Sequence, residues 1–569
     1  MFARLKISLS VSRLAAFGNR YRLVLLFAIV ALPFLLVRLP FYLYYPMVSL
    51  TPDSWTYARP AYQILNGTLP QFDHRTPGYP LFIALLFKLF RHPSNLTIVL
   101  SQGALSLSSL LFLVYAIYKK YPEAALYAAV AIAGYATSVT FLWYESNYMT
   151  ESLYVSFLVL FFAFVIISLH SKKALPWTVT SFIVGYIIWI RPAGIFILLV
   201  AAMVAAFLIK NRYPRRTIAA LIVPCAMMLV VLAGYNRFTI GSFTLSPFGA
   251  HNLFSLTIPF MEPDERFSAD INRAITEYVN TRVSEEIKRT VRASWDIEAL
   301  HDAFITAYEY NLAITFDFLR SVKTPNATPS TPMMGLYPAL NDIAMAQIKR
   351  HPLIYLKFFS VMAVYYLTNV RRDEAGIEGG ANIYKITIPF AAQAIKAYHN
   401  TTNSAEEDTV DKAAIEFTLN EYLRPFPPEM KNVYWFISTG GDNSTTEVLY
   451  VKDVKTPLMA AGIAYQRYHR MVFRNILWTA VYFMVLAYGV FVLFRRKYMD
   501  TGAFIVVILC ACPLFSALVT SAVTTALVRY SYPTEICYYL PAALLPVLWR
   551  YHSLKIKNAA AAINENPTM

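Results

Sequence analysis

The chain has 569 residues, of which 57% are hydrophobic and 15% charged, and its formal net charge is +16. A soluble domain carries about a quarter charged residues, so this composition excludes an ordinary water-soluble fold. A basic balance in a soluble protein points to nucleic acid; here the basic residues gather in short loops between apolar runs, which is a signature of membrane topology.

In chain order, the apolar runs place membrane helices near 23–45, 95–118, 123–142, 152–170, 174–190, 193–210, 216–235, 471–494, 502–522 and 535–551. Backbone in lipid must satisfy its own hydrogen bonds, so each run is read as a helix. The expected fold class is therefore an all-α polytopic membrane protein with about ten transmembrane helices. Tyrosines at helix ends, such as Tyr42, Tyr44 and Tyr45, fit an interfacial belt. Before the first run, Met1 to Arg22 is basic, and the run leads into an aromatic anchor instead of a small-residue cleavage site, so no cleavable signal is expected.

Orientation follows from the short loops. Arg20, Arg22, Lys119, Lys120, Lys172, Lys173, Lys210, Arg212, Arg215 and Arg216 fall on one side, joined by Arg495, Arg496, Lys497, Lys555 and Lys557. That side is read as cytoplasmic. Both termini are then inside, and the polar segments 46–94 and 236–470 are outside. The chain divides into an N-terminal transmembrane module, 1–235, an extracytoplasmic insert, 236–470, and C-terminal helices with a short tail, 471–569. Residues 353–370 form one more apolar run; a full span there would move Arg495 to Lys497 outside, so an interfacial or re-entrant helix is expected.

The first outside loop holds the richest chemistry. It contains TPDSWTYAR from Thr51 to Arg59 and HRTPGYP from His74 to Pro80. Asp53 lies just past the first membrane helix, at the boundary where a base could meet a lipid-borne substrate. A carboxylate with a pKa near 4 is ionised at neutral pH and can take a proton from an acceptor hydroxyl. Asp73, His74 and Arg75 follow, and an arginine can hold a pair of phosphate oxygens. The same residues fit a plainer description: Thr51 as a helix cap with Pro52 at the first helical position and Asp53 complementing the dipole, and His74 and Arg75 as solvated headgroup contacts. The two roles of Asp53 are compatible.

Glu145 and Glu151 flank the second outside loop, where carboxylates more often solvate helix ends; either is the candidate for a second acidic group. Arg191, in WIRPAG, and Arg529 with Tyr530, in LVRYSYPTE, stand at outer helix ends, where arginines normally snorkel to headgroups. Several converging on one cavity would bind an anionic lipid or pyrophosphate.

Within the insert, Ile271, Ile275, Val279, Val283, Ile287 and Val291 recur at helical spacing, as do Leu300, Phe304, Tyr308, Leu312 and Leu319. The Pro-rich stretch 324–332 separates these from later segments. VYWFIST and EVLYV around Gly440, Gly441, Asp442 and Asn443 suggest a small β-hairpin. Cys225, Cys510, Cys512 and Cys537 all lie in apolar runs, no Cys or His cluster has zinc spacing, and no glycine-rich phosphate loop occurs.

Taken together, TPDSWTYAR, HRTPGYPLFIALL, NYMTESLYVSFL, WIRPAG, and the pair YNRFTIGSFTLSPFGAHNLF (235–254) and AMAQIKRHPLIYLKFF (344–359) resemble the GT-C superfamily of membrane glycosyltransferases, with a weaker echo at RYSYP. The branch it most resembles is the dolichyl-phosphate-mannose–protein mannosyltransferase-like group, which includes the lipid A aminoarabinose transferases. The resemblance implies a GT-C fold and an inverting transfer of sugar from a polyprenyl-phosphate donor to a lipid, glycan or protein acceptor. By motif position it implies Asp53 as general base and Arg75 as the donor-phosphate contact. His251 and Asn252 resemble residues of the sugar or acceptor side, and Arg529 an arginine near the donor lipid. Around these, His74, Arg191 and Tyr530 are assigned to the donor side, and Asp73, Glu145 and Glu151 to the acceptor side. No cofactor is required, because a monophosphate leaving group is already anionic and cationic side chains can stabilise it; a divalent metal is optional. The implied location is a bacterial inner membrane, with the active site on the extracytoplasmic face. The early loop has Asp-Ser where the protein mannosyltransferases have Asp-Glu, and His-Arg-Thr-Pro where the aminoarabinose enzymes have acidic-Lys-Pro-Pro. The alternatives are a lipid-glycan ligase with a polyprenyl-diphosphate donor, and a lipid or solute transporter, against which stand the lack of an internal repeat and the scarcity of acidic groups in the membrane runs.

Overall fold

The structure is a computed structural model that describes residues 11–44, 54–70, 72, 75–90, 95–279, 283–304, 337–368, 457, 477–496, 500–523 and 532–549. Among the described residues the architecture is helical and contains no sheet. Seven helices among the described residues are long and apolar enough to cross a membrane, which marks an integral membrane protein.

The first module runs α1 (Val11–Tyr44), α2 (Ser54–Leu65), α3 (Gly78–Phe90), α4 (Asn95–Lys120), α5 (Ala125–Ala136) and α6 (Val139–Glu145). It continues with α7 (Glu151–Ser168), α8 (Ala174–Ile190), a 3-10 turn (Pro192–Phe196), α9 (Ile197–Lys210) and α10 (Arg215–Ile240). The run expected as one helix over 123–142 is two. Thr137 turns its hydroxyl back onto the Ala133 and Gly134 carbonyls, and such bonds compete with the helical ladder, so α5 ends and α6 starts on a new axis. At the other end of the module, Gly241 in the left-handed conformation closes α10.

The basic loops converge on one end of the bundle. Arg22 donates to the Pro122 carbonyl at 2.6 Å, Thr217 to the Lys172 carbonyl at 3.1 Å and Arg496 to the Leu548 carbonyl at 3.1 Å, while Tyr213 reaches Leu169. Tyr144, Glu151 and Ile190 therefore lie at the opposite end. Between the two ends is one continuous apolar core that includes Val30, Val99, Leu158, Val184 and Ile508.

Beyond α10 come α11 (Phe248–Thr257), α12 (Ala269–Ala274), which continues as a π turn over Ile275–Val279, and α13 (Glu285–Ala293). A helical stretch is described over 297–304. The apolar repeat from Ile271 to Val291 is thus divided between elements. Ser284 interrupts it, caps α13 by accepting from the Ile287 amide at 3.2 Å, and resets the helix axis. The repeat still packs as expected: Ile275, Val279 and Val283 join Phe254, Leu340 and Ile343 in a second core.

Two helices follow, α14 (Tyr337–Arg350) and α15 (Pro352–Thr368), and then α16 (Leu477–Arg495), α17 (Thr501–Val523) and α18 (Ile536–Ala543). α15 covers the apolar run expected as an interfacial or re-entrant helix. It lies antiparallel to the last third of α17: Tyr355 donates to the Ala522 carbonyl at 2.6 Å, and Tyr366 pairs with Ser516. The expected hairpin at 440–443, Tyr308, Leu312 and Leu319, and the Pro-rich stretch all fall outside the described residues.

Candidate functional site

At the end opposite the basic loops, α3 begins where its backbone touches α8. A Cβ on Gly78 would lie 2.6 Å from the Ile190 nitrogen and 2.7 Å from the Trp189 carbonyl, so only glycine permits this approach. Tyr186 reinforces it by donating to the Gly78 carbonyl at 2.9 Å. This crossing fixes the loop carrying Arg75 beside the loop carrying Arg191.

Arg75 is half-buried. Its Nε donates to the Thr56 hydroxyl at 2.7 Å, and its guanidinium lies 4.8 Å from the Tyr57 ring and 5.9 Å from the Phe248 ring. Thr56 and Tyr57 belong to the first turn of α2, which begins at Ser54, one residue after Asp53. Phe248 opens α11 and stacks on buried His251 with ring centroids 4.8 Å apart. Arg75 and His251 thus share Phe248 as a neighbour, although they are far apart in sequence. Asn252 lies one residue further along α11.

A tyrosine layer lies beneath. Tyr79 meets Tyr57 edge-on at 5.2 Å and Tyr148 at 5.9 Å, and donates to Gln102 at 2.9 Å. Gln102 in turn donates to the carbonyls of Glu145 and Asn147, at 2.7 and 3.1 Å. These bonds place the second loop against the first.

The two carboxylates of that loop have different surroundings. Glu145, expected beside the second outside loop where carboxylates solvate helix ends, is buried and paired with Arg38, a residue inside the first span. Arg38 also donates to the Ala136 carbonyl at 2.7 Å, satisfying the end of α5, and its guanidinium stands 3.6 Å from the Phe34 ring. Glu151, also buried, pairs with Arg191 at 2.7 Å. Arg191 is therefore engaged by a carboxylate, and a phosphate would have to share it. Arg38 was not among the sequence candidates; an arginine inside an apolar run was the available signal.

Of the expected site residues, Arg75, Arg191, Glu145, Glu151, His251 and Asn252 are described. Asp53, Asp73, His74, Arg529 and Tyr530 lie outside the described residues. No cluster of three or more metal-ligating side chains occurs among the described residues.

No protein-family model matches the chain, and no curated protein matches it. Among solved structures it is similar to the apo oligosaccharyltransferase of Archaeoglobus fulgidus, at 12% identity and a TM-score of 0.37, over 96% of this chain and 53% of that one. It is also similar to the archaeal oligosaccharyltransferase AglB of Archaeoglobus fulgidus, solved with an inhibitory peptide and a dolichol-phosphate. That likeness has 12% identity and a TM-score of 0.36, over 97% of this chain and 53% of that one. The chain spans about half the length of either structure. Likenesses this distant say nothing of the chemistry here.

Proposed function

We propose that the chain is an inverting glycosyltransferase of the GT-C type, moving a sugar from a polyprenyl-phosphate donor to a lipid, glycan or protein acceptor at the extracytoplasmic face of the membrane. The observation that carries this reading is the setting of Arg75. It is a cation held by Thr56 and two aromatic rings at the bundle end away from the basic loops, against the helical turn that follows Asp53 in the chain. The adjoining helix α3 turns Leu81, Leu85 and Leu89 outward, an apolar flank along which an isoprenoid tail can lie.

The chemistry needs few groups. The acceptor oxygen attacks the anomeric carbon as the bond from that carbon to the phosphate oxygen breaks on the opposite face. The acceptor proton passes to the Asp53 carboxylate, and the electron pair leaves with the polyprenyl phosphate. Charge accumulates on that phosphate, where a fixed guanidinium stabilises it more in the transition state than in the ground state.

The test combines two measurements. Mass spectrometry of lipid co-purified with the wild-type chain is expected to find a polyprenyl phosphate. A polyprenyl diphosphate would support the ligase reading instead, and finding neither would overturn both. With an extracted donor and acceptor fraction, Asp53→Asn is expected to abolish transfer while retaining the co-purified lipid; full transfer by this variant would remove the assigned base.

A further inference from the structure

We infer that the adjoining turns 169–173 and 211–214, with the helix ends beside them, form a binding surface for anionic lipid headgroups in the leaflet at the basic end of the bundle.

Two segments distant in sequence build this surface. Thr217 donates to the Lys172 carbonyl at 3.1 Å and Tyr213 to the Leu169 carbonyl, so the turn between α7 and α8 is fixed against the turn between α9 and α10. Together with the helix ends beside them they expose Lys172, Lys173, Lys210, Arg212, Arg215 and Arg216, and neither turn contains an acidic residue. The other basic turns at this end carry carboxylates. Glu123 lies three residues beyond Lys120, while Asp500 pairs with Arg496 and accepts from the Ala503 amide at 2.7 Å at the start of α17. α10 begins instead with Arg215 and Arg216, cations at the helix end that favours anions. Arg212 joins them in a strained conformation: its φ is 54°, in the left-handed region where a helix C-terminus usually places glycine. The sorting of basic loops to one side explains positive charge at this end. It does not explain why the turns that lack carboxylates stand side by side.

Depth puts these cations at headgroup level. In α10 the stretch from Thr217 to Asn236 carries no charge, and at 1.5 Å per residue it spans about 30 Å, the thickness of a hydrocarbon core. Arg215 and Arg216 stand just outside it. α8, from Ala174 to Ile190, and α9, from Ile197 to Ile209, are likewise free of charged residues. On these same helices, close to the cations, the surface is apolar and open: Leu175 is 72% exposed, Ile209 61% and Ile222 50%. A phosphate on the cations and acyl chains on this flank can therefore belong to one ligand, which is the general form of anionic-lipid sites between membrane helices. A soluble polyanion would answer to the charge alone. The apolar flank beside the charge selects a lipid.

The experiment uses the full chain, released by mild detergent from vesicles that contain phosphatidylglycerol and phosphatidylcholine in equal amounts. Native mass spectrometry counts the molecules of each lipid retained. Wild type is expected to retain phosphatidylglycerol in preference. Lys173→Gln combined with Arg216→Gln is expected to cut that preference by roughly thirtyfold, since each basic residue at an anionic surface contributes about 1 kcal/mol. Lys119→Gln combined with Arg495→Gln removes the same charge from other exposed positions at this end and is expected to keep the wild-type preference. Absence of a preference in wild type would overturn the proposal. An equal fall in both double variants would also overturn it, by tracing the preference to net charge. So would displacement of the bound phosphatidylglycerol by inorganic phosphate at constant ionic strength, which would make the ligand a soluble anion.

Discussion

Arg38 and Glu145 show what single residues decide. Two opposite charges buried in a membrane bundle are tolerated because each neutralises the other and Arg38 also satisfies the end of α5. Removing one partner leaves an uncompensated buried charge, which costs about 3–5 kcal/mol, whereas replacing both by apolar groups is often neutral. Arg38→Met is therefore expected to lower the thermal unfolding temperature in detergent sharply, and Arg38→Met combined with Glu145→Leu to recover most of the loss. Equal melting of the single and double variants would show that the pair is not coupled. Arg75 has a different use: Thr56, Tyr57 and Phe248 hold its guanidinium at the end of the bundle away from the basic loops. Under the proposed function, Arg75→Lys keeps the charge but loses the planar fork that grips two phosphate oxygens. Weaker retention of polyprenyl phosphate, by roughly tenfold for one lost charge-assisted bond of about 1.4 kcal/mol, is the expected result, read by mass spectrometry at unchanged thermal stability.

At the scale of elements, the crossing of α3 and α8 is the joint on which the site depends. Gly78→Ala forces a methyl group into the Trp189 and Ile190 backbone, and overpacking of this kind costs about 1–3 kcal/mol. Gly234→Ala, in the middle of α10, meets nothing within 4 Å and is expected to be neutral or to stabilise by up to about 1 kcal/mol. The Gly78→Ala melt should fall while the Gly234→Ala melt holds or rises; a harmless Gly78→Ala would mean that the helices are not held this closely. The polar segment has its own latch. Arg266 bonds the Asp264 carboxylate at 2.7 and 2.8 Å, while Glu262 pairs with Arg292 at 2.8 Å and Arg350 at 3.2 Å. The Arg266 bonds hold the Asp264 carboxyl well below the usual aspartate range. A depressed native pKa contributes stability above the unfolded value of about 3.9, and that contribution is lost as pH falls through the native value. The protection of α12 and α14 amides, taken relative to the intrinsic exchange rate at each pH, is therefore expected to fall below about pH 4 in wild type, with Asp264→Asn showing a weaker acid response. An identical pH profile in the two proteins would remove the latch from the account.

For the whole molecule, the separation of basic loops from the candidate site is the feature with the widest consequence. Lys173 lies at one end of the bundle and Phe243, just beyond α10, at the other. Cysteines introduced at these two positions should label from opposite sides of sealed vesicles with an impermeant maleimide. The four native cysteines are buried and should contribute little background. Labelling of both from one side would overturn the topology.

Much of this arrangement was legible in advance because lipid imposes a one-dimensional rule: an apolar run of sufficient length forms a helix, and basic loops sort to one side. The spans near 95–118, 193–210 and 502–522 follow from that rule alone, and the described helices Asn95–Lys120, Ile197–Lys210 and Thr501–Val523 match them. The break at Thr137 and the restart at Ser284 were not legible, since each depends on a hydroxyl choosing a backbone partner. Sequence alone also marked Arg75 and His251 as chemically able groups. Only the tertiary structure decided that Phe248 would stand between them, that Glu145 would be withdrawn into a pair with Arg38, and that Glu151 would occupy Arg191. The reason is physical. Hydropathy is a property of each segment and can be summed along the chain, whereas pairing depends on distances between groups many residues apart, which exist only once the helices have packed.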